Sequence, residues 1–258
     1  MAKRPDFIIA GATRSGLTTM TSILDRHAQI FIPHRKEHQF FHKDSILDSS
    51  TRSYLKAFED AAALNRNGRL HKDRILQGET EFDHARAHRG CPDAKIIFTL
   101  QNPVERAHLQ FLHAQNEKKE TVRTFEHAIE AELSGLRSPQ TTGRCWLFKN
   151  QYKTHVQDWL SLFPSKKVLI LIYEEWNTTV HNGLKPLEDF LGLEPQSLLD
   201  DKISGYDGRK IEEALIEPKI KRHPTLSKAT KEQLEEFFAE DKSYISNLLN
   251  RPIPSWDV

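Results

Sequence analysis

The apolar positions of this chain follow two periods. Short runs at Phe7–Ala10, Ile30–Pro33, Pro92–Leu100 (a turn, then an apolar run) and Lys167–Glu175 (an apolar run ending in acids) are too short for helices. They read as buried parallel strands covered on both faces. Elsewhere apolar residues recur every three or four positions: Met20, Ile23 and Leu24, then Phe125 to Leu133, Tyr152 to Leu160, and Leu226 to Leu249. These are amphipathic helices. Residues 44 to 75 read as polar helices with Tyr54, Leu55 and Phe58 as one core-facing stripe. Strands alternating with helices predict an α/β fold. A mostly parallel central sheet of roughly four or five strands is flanked by helices. One domain covers residues 1–258.

Composition adds mainly exclusions. A chain of 258 residues buries about three quarters of its unfolded surface. Its 37 basic and 36 acidic residues leave a net charge of +1, so no global field draws it to nucleic acid or a membrane. Two cysteines, Cys91 and Cys145, supply neither a disulfide framework nor metal-ligand spacing. No apolar run approaches the ~18 residues of a membrane span. Met-Ala-Lys-Arg-Pro-Asp runs straight into the first strand, which leaves no room for a signal peptide or anchor. The expectation is a cytoplasmic protein with no nucleic-acid or membrane partner, its oligomeric state open.

The chemistry begins where the first strand ends. Gly11, Arg14, Ser15, Gly16, Thr18 and Thr19 lie between strand and helix. In such a turn successive backbone N–H groups, a helix N-terminus, hydroxyls and a cation converge on a phosphate. An ordinary strand-to-helix turn is the plainer reading. Gly11 and Gly16 have the spacing of a nucleoside-triphosphate loop, but Leu17 stands where that motif has lysine. A nucleoside triphosphatase is a poor fit.

Other stretches stand out. Arg35-Lys36-Glu37-His38-Gln39-Phe40-Phe41 sets charges beside paired aromatics, and 217–224 is a basic loop bounded by Pro218 and Pro224. Each, taken alone, reads as a solvated charge run. His84 and His88 have helical spacing but lack a third ligand, so no metal is expected. Asn102 and Pro103 form a cap and first turn directly after the Ile96–Leu100 run. Glu174, among the acids that end the Lys167–Glu175 strand, reads as a structural partner rather than a catalyst.

Together these segments resemble the sulfotransferases that use 3′-phosphoadenosine 5′-phosphosulfate (PAPS), in the branch of heparan and bacterial small-molecule enzymes. Arg14-Ser15-Gly16-Leu17-Thr18 is similar to the family's K-x-G-T-T loop, with Arg for Lys and Leu for the first Thr. Lys36-Glu37 followed by Phe40-Phe41 resembles its K-E-x-x-F-F signature. Gln77 to Phe82 resembles its G-E-x-S-P-x-Y segment without the proline, the run ending in Glu174 and Glu175 resembles its v-l-x-y-E-D-L strand, and residues 184 to 193 match the helix that follows. Leu100, Asn102, Pro103, Val104, Glu105, Arg106, Ala107 and His113 match L-R-N-P-V-E-R-A-Y-S-x-Y-x-H. Lys219 and Lys221 match the Lys and Arg of a K-G-R loop, with Arg222 as an extra cation.

The resemblance implies a P-loop-containing sulfotransferase-like fold and a transfer of a sulfuryl group from PAPS to a hydroxyl or amine of a small-molecule acceptor. Adenosine 3′,5′-bisphosphate would be the product, and no metal would take part. Arg14, Ser15, Gly16, Leu17, Thr18 and Thr19 would bind the 5′-phosphosulfate. Glu37 would be the general base, Arg14 would stabilise the leaving phosphate, and His113 would face the acceptor. The family's 3′-phosphate ligands fall at Gln101 and Leu109, where a cation and a hydroxyl are missing. Lys219, Lys221 and Arg222 are then the cations left for that phosphate. Two alternatives stay open: a nucleotide-binding protein of this fold with reduced turnover, and an enzyme whose donor lacks the 3′-phosphate.

Overall fold

β1 (Phe7–Gly11) runs through the middle of a five-stranded sheet with the order β2-β3-β1-β4-β5. The other strands are β2 (Ile30–Phe31), β3 (Gly68–His71), β4 (Lys95–Leu100) and β5 (Val168–Ile172). Every pairing is parallel. The computed structural model describes residues 5–25, 27, 29–31, 68–71, 84–138, 144–178, 183–193 and 226–257.

Period-two alternation sorts the strand residues onto two faces. Ile8 and Ala10 of β1 and Ile96, Phe98 and Leu100 of β4 point to one face. There they meet Tyr152, Val156 and Trp159 of α5 (Tyr152–Leu160), Ile245 of α9 (Ala239–Leu249) and the terminal Trp256. Phe7, Ile9 and Ile97 point to the other. They pack on Leu17, Met20, Ile23 and Leu24 of α1 (Leu17–Leu24), Trp176 of α6 (Tyr173–Thr178) and Leu187 of α7 (Lys185–Leu191). Because both faces are covered, β1 and β5 are apolar throughout and β4 nearly so. A third cluster joins α3 (Pro103–Asn116), α4 (Phe125–Leu133) and α8 (Lys228–Phe237) through Val104, Phe111, Phe125, Ile129, Leu234 and Phe238.

The helices predicted at 125–133 and 152–160 form with those bounds, and the stretches at 184–193 and 226–249 fold as α7 and the α8–α9 pair. Two expectations are overturned. Tyr173, Glu174 and Glu175, read as the end of the last strand, open α6 instead, and that turn into a helix brings Trp176 back onto Thr99. Gly68–His71, read within a helical stretch, is a strand pairing with both β1 and β2. Gly-Arg-Leu-His carries no apolar period of its own. The slot between two parallel neighbours, whose backbone groups need partners, makes it a strand. The rest of 44–75 lies outside the described residues. His84 and His88 lie on α2 (His84–Gly90), where the His88 ring packs edge-on against Phe163. Among the described residues, no helix is long and apolar enough to cross a membrane.

The connection between α3 and α4 is fastened by a buried ion pair. Arg137 donates to both oxygens of Glu120, at 2.8 and 3.0 Å, and the N–H groups of Thr121 and Val122 donate to the same carboxylate. Burial works to raise the Glu120 carboxyl, but these donors prevail and bring it down to about 2. A carboxyl lowered on folding stabilises the fold above its usual value of 4.5, and that stability fades as pH falls toward 2. Chemical denaturation between pH 7 and 3 is expected to show a steep acid limb. Glu120→Gln flattens that limb and lowers stability at pH 7.

Candidate active site

The candidate site forms where β1 leaves the sheet. Ile9 pairs with Ile97, but the register then slips so that Gly11 pairs with Phe98. Such an irregularity bends a strand and re-aims the residues beyond it. The chain turns through Ala12, whose N–H donates to the Thr99 carbonyl at 2.8 Å, and Ser15, whose N–H donates to the Ala12 carbonyl at 3.2 Å. Arg14 and Gly16 both take left-handed conformations, with φ of 69° and 74°. Gly16 is the N-cap of α1. It offers no side chain to the helix start, and the first turn holds no acidic residue. The first N–H groups of a helix have no intrahelical acceptor. Those of Leu17, Thr18 and Thr19 therefore face outward with the positive end of the helix dipole.

Glycine at 16 is dictated by packing as well as by φ. A Cβ there would stand 2.5 Å from the Trp176 ring and 2.6 Å from that of Tyr173. The loop is thus pressed onto α6. Thr99, fully buried at the end of β4, fastens it from below. Its hydroxyl accepts from Trp176 Nε1 at 2.8 Å and donates to the Ser15 carbonyl at 2.9 Å.

From the opposite side the loop is held by α3. Asn102 caps this helix by accepting from the Val104 N–H, with Pro103 in the first turn. One turn on, Arg106 is fully buried. Its Nε donates to the Thr13 carbonyl at 2.7 Å and its Nη2 to the Thr13 hydroxyl at 3.1 Å. Its Nη1 donates to the Lys149 carbonyl and to Asn150 Oδ1. Gln110, one turn further, also donates to the Thr13 hydroxyl and accepts from Asn150 Nδ2. The sequence reading matched Arg106 to a motif but missed Thr13, Gln110 and Asn150. The i, i+4 pair Arg106/Gln110 on an otherwise apolar helix face was the available signal.

Gln101, at the tip of β4, lends its carbonyl to the Tyr152 hydroxyl at 2.8 Å, and its side-chain Oε1 is buried without a partner. Leu109 lies half-buried, on the helix face it shares with Arg106 and His113 by i+3 and i+4 spacing. His113 pairs with Glu117 at 2.9 Å. Lys119, also 2.9 Å from Glu117, acts with His113 and Arg14 to hold that carboxyl below its usual range. One exposed carboxylate therefore senses both Arg14 and His113, which places the two on the same side of the molecule. Glu174 is a structural partner: Oε1 accepts from the Asn102 N–H at 2.7 Å and Oε2 from Trp256 Nε1 at 3.1 Å. Burial pushes its carboxyl up.

One residue of the expected phosphate shell changes role. The Leu17 side chain is buried in the α1 core stripe with Met20, Ile23 and Leu24, so this position offers only its backbone N–H. Thr18 is exposed and Thr19 half-buried at the helix start. The structure brings Arg14, Ser15, Gly16, Thr18 and Thr19 together. Glu37, Lys219, Lys221 and Arg222 lie outside the described residues.

The arrangement suits an anion: an uncapped helix start, Arg14 two residues before its N-cap, and Ser15 Oγ buried with no partner among the described residues. Fold and site together define an α/β protein with a candidate anion-binding loop at the carboxyl end of its central strand. The sulfotransferase domain model matches residues 4–243, and the chain belongs to the family of PAPS-dependent sulfotransferases. It is 28% identical to human bifunctional heparan sulfate N-deacetylase/N-sulfotransferase 2 over 98% of its length, and 23% identical to the Drosophila melanogaster bifunctional heparan sulfate N-deacetylase/N-sulfotransferase, again over 98%. The chain spans about 30% of the human relative and 27% of the fly one.

Among solved structures, a sulfotransferase from Alicyclobacillus acidocaldarius superposes with a TM-score of 0.75 at 21% identity, covering 99% of this chain and all of that one. A mouse sulfotransferase complexed with PAP gives 0.57 at 17% identity, covering 96% of this chain and 88% of that one. These likenesses bear out the expected fold.

The fit of Gly16 against α6 is directly testable. Gly16→Ala forces a left-handed alanine into the Trp176 and Tyr173 rings and is expected to cost about 2–4 kcal/mol. Urea denaturation monitored by tryptophan fluorescence measures it.

Proposed function

We propose that this chain transfers a sulfuryl group from PAPS to an amine or hydroxyl acceptor. The observation that carries the reading is the uncapped start of α1 with Arg14 two residues before its N-cap, in a chain of the sulfotransferase family. PAPS, when bound, supplies the sulfuryl group and the adenosine 3′,5′-bisphosphate leaving group. The N–H groups of Leu17, Thr18 and Thr19, with the hydroxyls of Ser15, Thr18 and Thr19, would hold its 5′ end.

Arg14 contributes a fixed positive charge where negative charge grows on the leaving oxygen. A guanidinium keeps its proton at neutral pH, so Arg14 stabilises that charge without acting as an acid. Glu37 would take the acceptor's proton. His113, on the same side as Arg14, would face the acceptor. Lys219, Lys221 and Arg222 would meet the 3′-phosphate. Similarity to proteins named heparan sulfate N-sulfotransferases supports an amine on a glycan as the acceptor, over the small molecule suggested by the sequence reading.

A second reading has its own observation. The family's 3′-phosphate cation is here Gln101, whose Oε1 is buried and unpartnered, and its hydroxyl is Leu109. An orphan acceptor suits a 3′-hydroxyl better than a phosphate, which favours a donor lacking the 3′-phosphate.

Thermal shift separates the two. Under the first reading, adenosine 3′,5′-bisphosphate raises the melting temperature well beyond the 5′-monophosphate, because a ligand bound only by the native state stabilises it. Equal shifts favour the second reading, and no shift with either at millimolar ligand overturns both. Glu37→Gln is expected to lower turnover by ~10²–10⁴ with nucleotide affinity nearly unchanged. Wild-type turnover in that variant would move the base elsewhere. Gln101→Arg with Leu109→Ser is expected to tighten the bisphosphate selectively, by about tenfold or more, in isothermal titration.

A further inference from the structure

Arg106 carries a full positive charge into the interior, and its partners are all neutral. The Thr13 carbonyl and hydroxyl, the Lys149 carbonyl and Asn150 Oδ1 take its hydrogen bonds, and the Tyr152 ring lies 5.7 Å from the guanidinium carbon. No carboxylate pairs with it among the described residues. Buried charges are ordinarily matched by an opposite charge, because desolvating an ion costs several kcal/mol. The other buried arginine pair shows the usual solution: Arg137 meets Glu120 through both oxygens. A hydrogen-bonding hub alone could be built from neutral side chains, as Gln110 and Asn150 already demonstrate beside it.

The position of the unmatched charge is informative. Two of its three nitrogens grip Thr13, the residue immediately before Arg14 in the loop, and Gln110 grips the same hydroxyl from the next turn. In the same loop, Ser15 Oγ is buried without a partner. The protein thus leaves one positive charge and one hydroxyl unanswered under a single short turn. Arg106 is fully buried against the loop, so its charge is weakly screened there.

We propose that the counter-ion of Arg106 is the anion bound in the loop: Arg106 is a positioning residue that sets anion affinity through the Thr13 backbone without touching the ligand. The inference rests on the sulfotransferase reading only for the identity of the anion. It also accounts for how a site with Gln101 and Leu109 in place of a cation and a hydroxyl holds a polyanion. Part of the required charge is stored beneath the loop.

The test measures anion affinity by isothermal titration, at mildly acid pH so that a buried lysine stays protonated, for adenosine 3′,5′-bisphosphate and for inorganic phosphate. Arg106→Gln is expected to lower affinity for both by about tenfold or more. Arg106→Lys keeps the charge but loses the planar fork, and is expected to retain most of the affinity. If both variants keep wild-type affinity, or both lose it equally, the charge is not what matters and the inference falls.

Should Arg106→Gln fail to fold, Gln110→Glu decides. Its carboxylate accepts from the Thr13 hydroxyl and from Asn150, and so supplies an internal counter-ion at nearly unchanged shape. A higher ligand-free melting temperature with weakened anion binding supports the proposal, and unchanged anion affinity overturns it. If phosphate binds and responds to these substitutions while the bisphosphate does not bind, the inference stands and the sulfotransferase reading falls. If neither binds, both fall.

Discussion

The hydroxyl of Thr99 is the point on which the site depends. It sits on the face of β4 that otherwise packs Ile97 into the core, and it is fully buried. A buried hydroxyl is tolerable only when its hydrogen bonds are made. Here it is satisfied twice, by Trp176 Nε1 and by the Ser15 carbonyl, while the Thr99 carbonyl takes the Ala12 N–H. One residue therefore ties the central sheet, α6 and the candidate anion-binding loop into a single rigid unit. The same Trp176 presses on Gly16 and leaves no room for a side chain. The left-handed turn, the outward N–H groups and the position of Arg14 all depend on this clamp.

The electrostatics around the clamp divide by depth. Near the surface, Arg14 and His113 share the field of Glu117, which is itself paired with Lys119. Exposed pairs of this kind are screened and contribute little energy, but they set where charge lies. Below the loop the arrangement is reversed: Arg106 is buried among dipoles without an acid among the described residues. Burial lowers its affinity for its proton, partly offset by Tyr152, yet an arginine remains charged.

Much of this fold was legible because its signals are local. The Asn102-Pro103 start of α3, the apolar run of β4 and the helices at 125–133 and 152–160 each announce themselves within a dozen residues. β3 did not, since Gly68–His71 becomes a strand only through pairing with β1 and β2. Leu17 was readable in principle. It continues the Met20, Ile23, Leu24 stripe by helical spacing, and the phosphate motif overlying it obscured that period. The Thr13, Arg106, Gln110 and Asn150 network was not readable, because a helix pair had to be joined to loop residues more than ninety positions upstream and forty downstream.

Position 101 tolerates a departure from the family pattern because the fold uses its backbone and not its side chain. The Gln101 carbonyl accepts from Tyr152, and the next N–H donates to Glu174, which also holds Trp256. Tyr152 in turn lies beneath Arg106, so the strand end is braced to the loop's support regardless of what residue 101 carries. Its side-chain oxygen is buried without a partner among the described residues. A residue whose flanking peptide groups are fastened and whose side-chain oxygen has no partner is where substrate choice can change without cost to the fold. In this chain position 101 carries Gln where the resembled motif has Arg, while Asn102, Tyr152, Glu174 and Trp256 around it are held by one another's hydrogen bonds and by the Gln101 carbonyl.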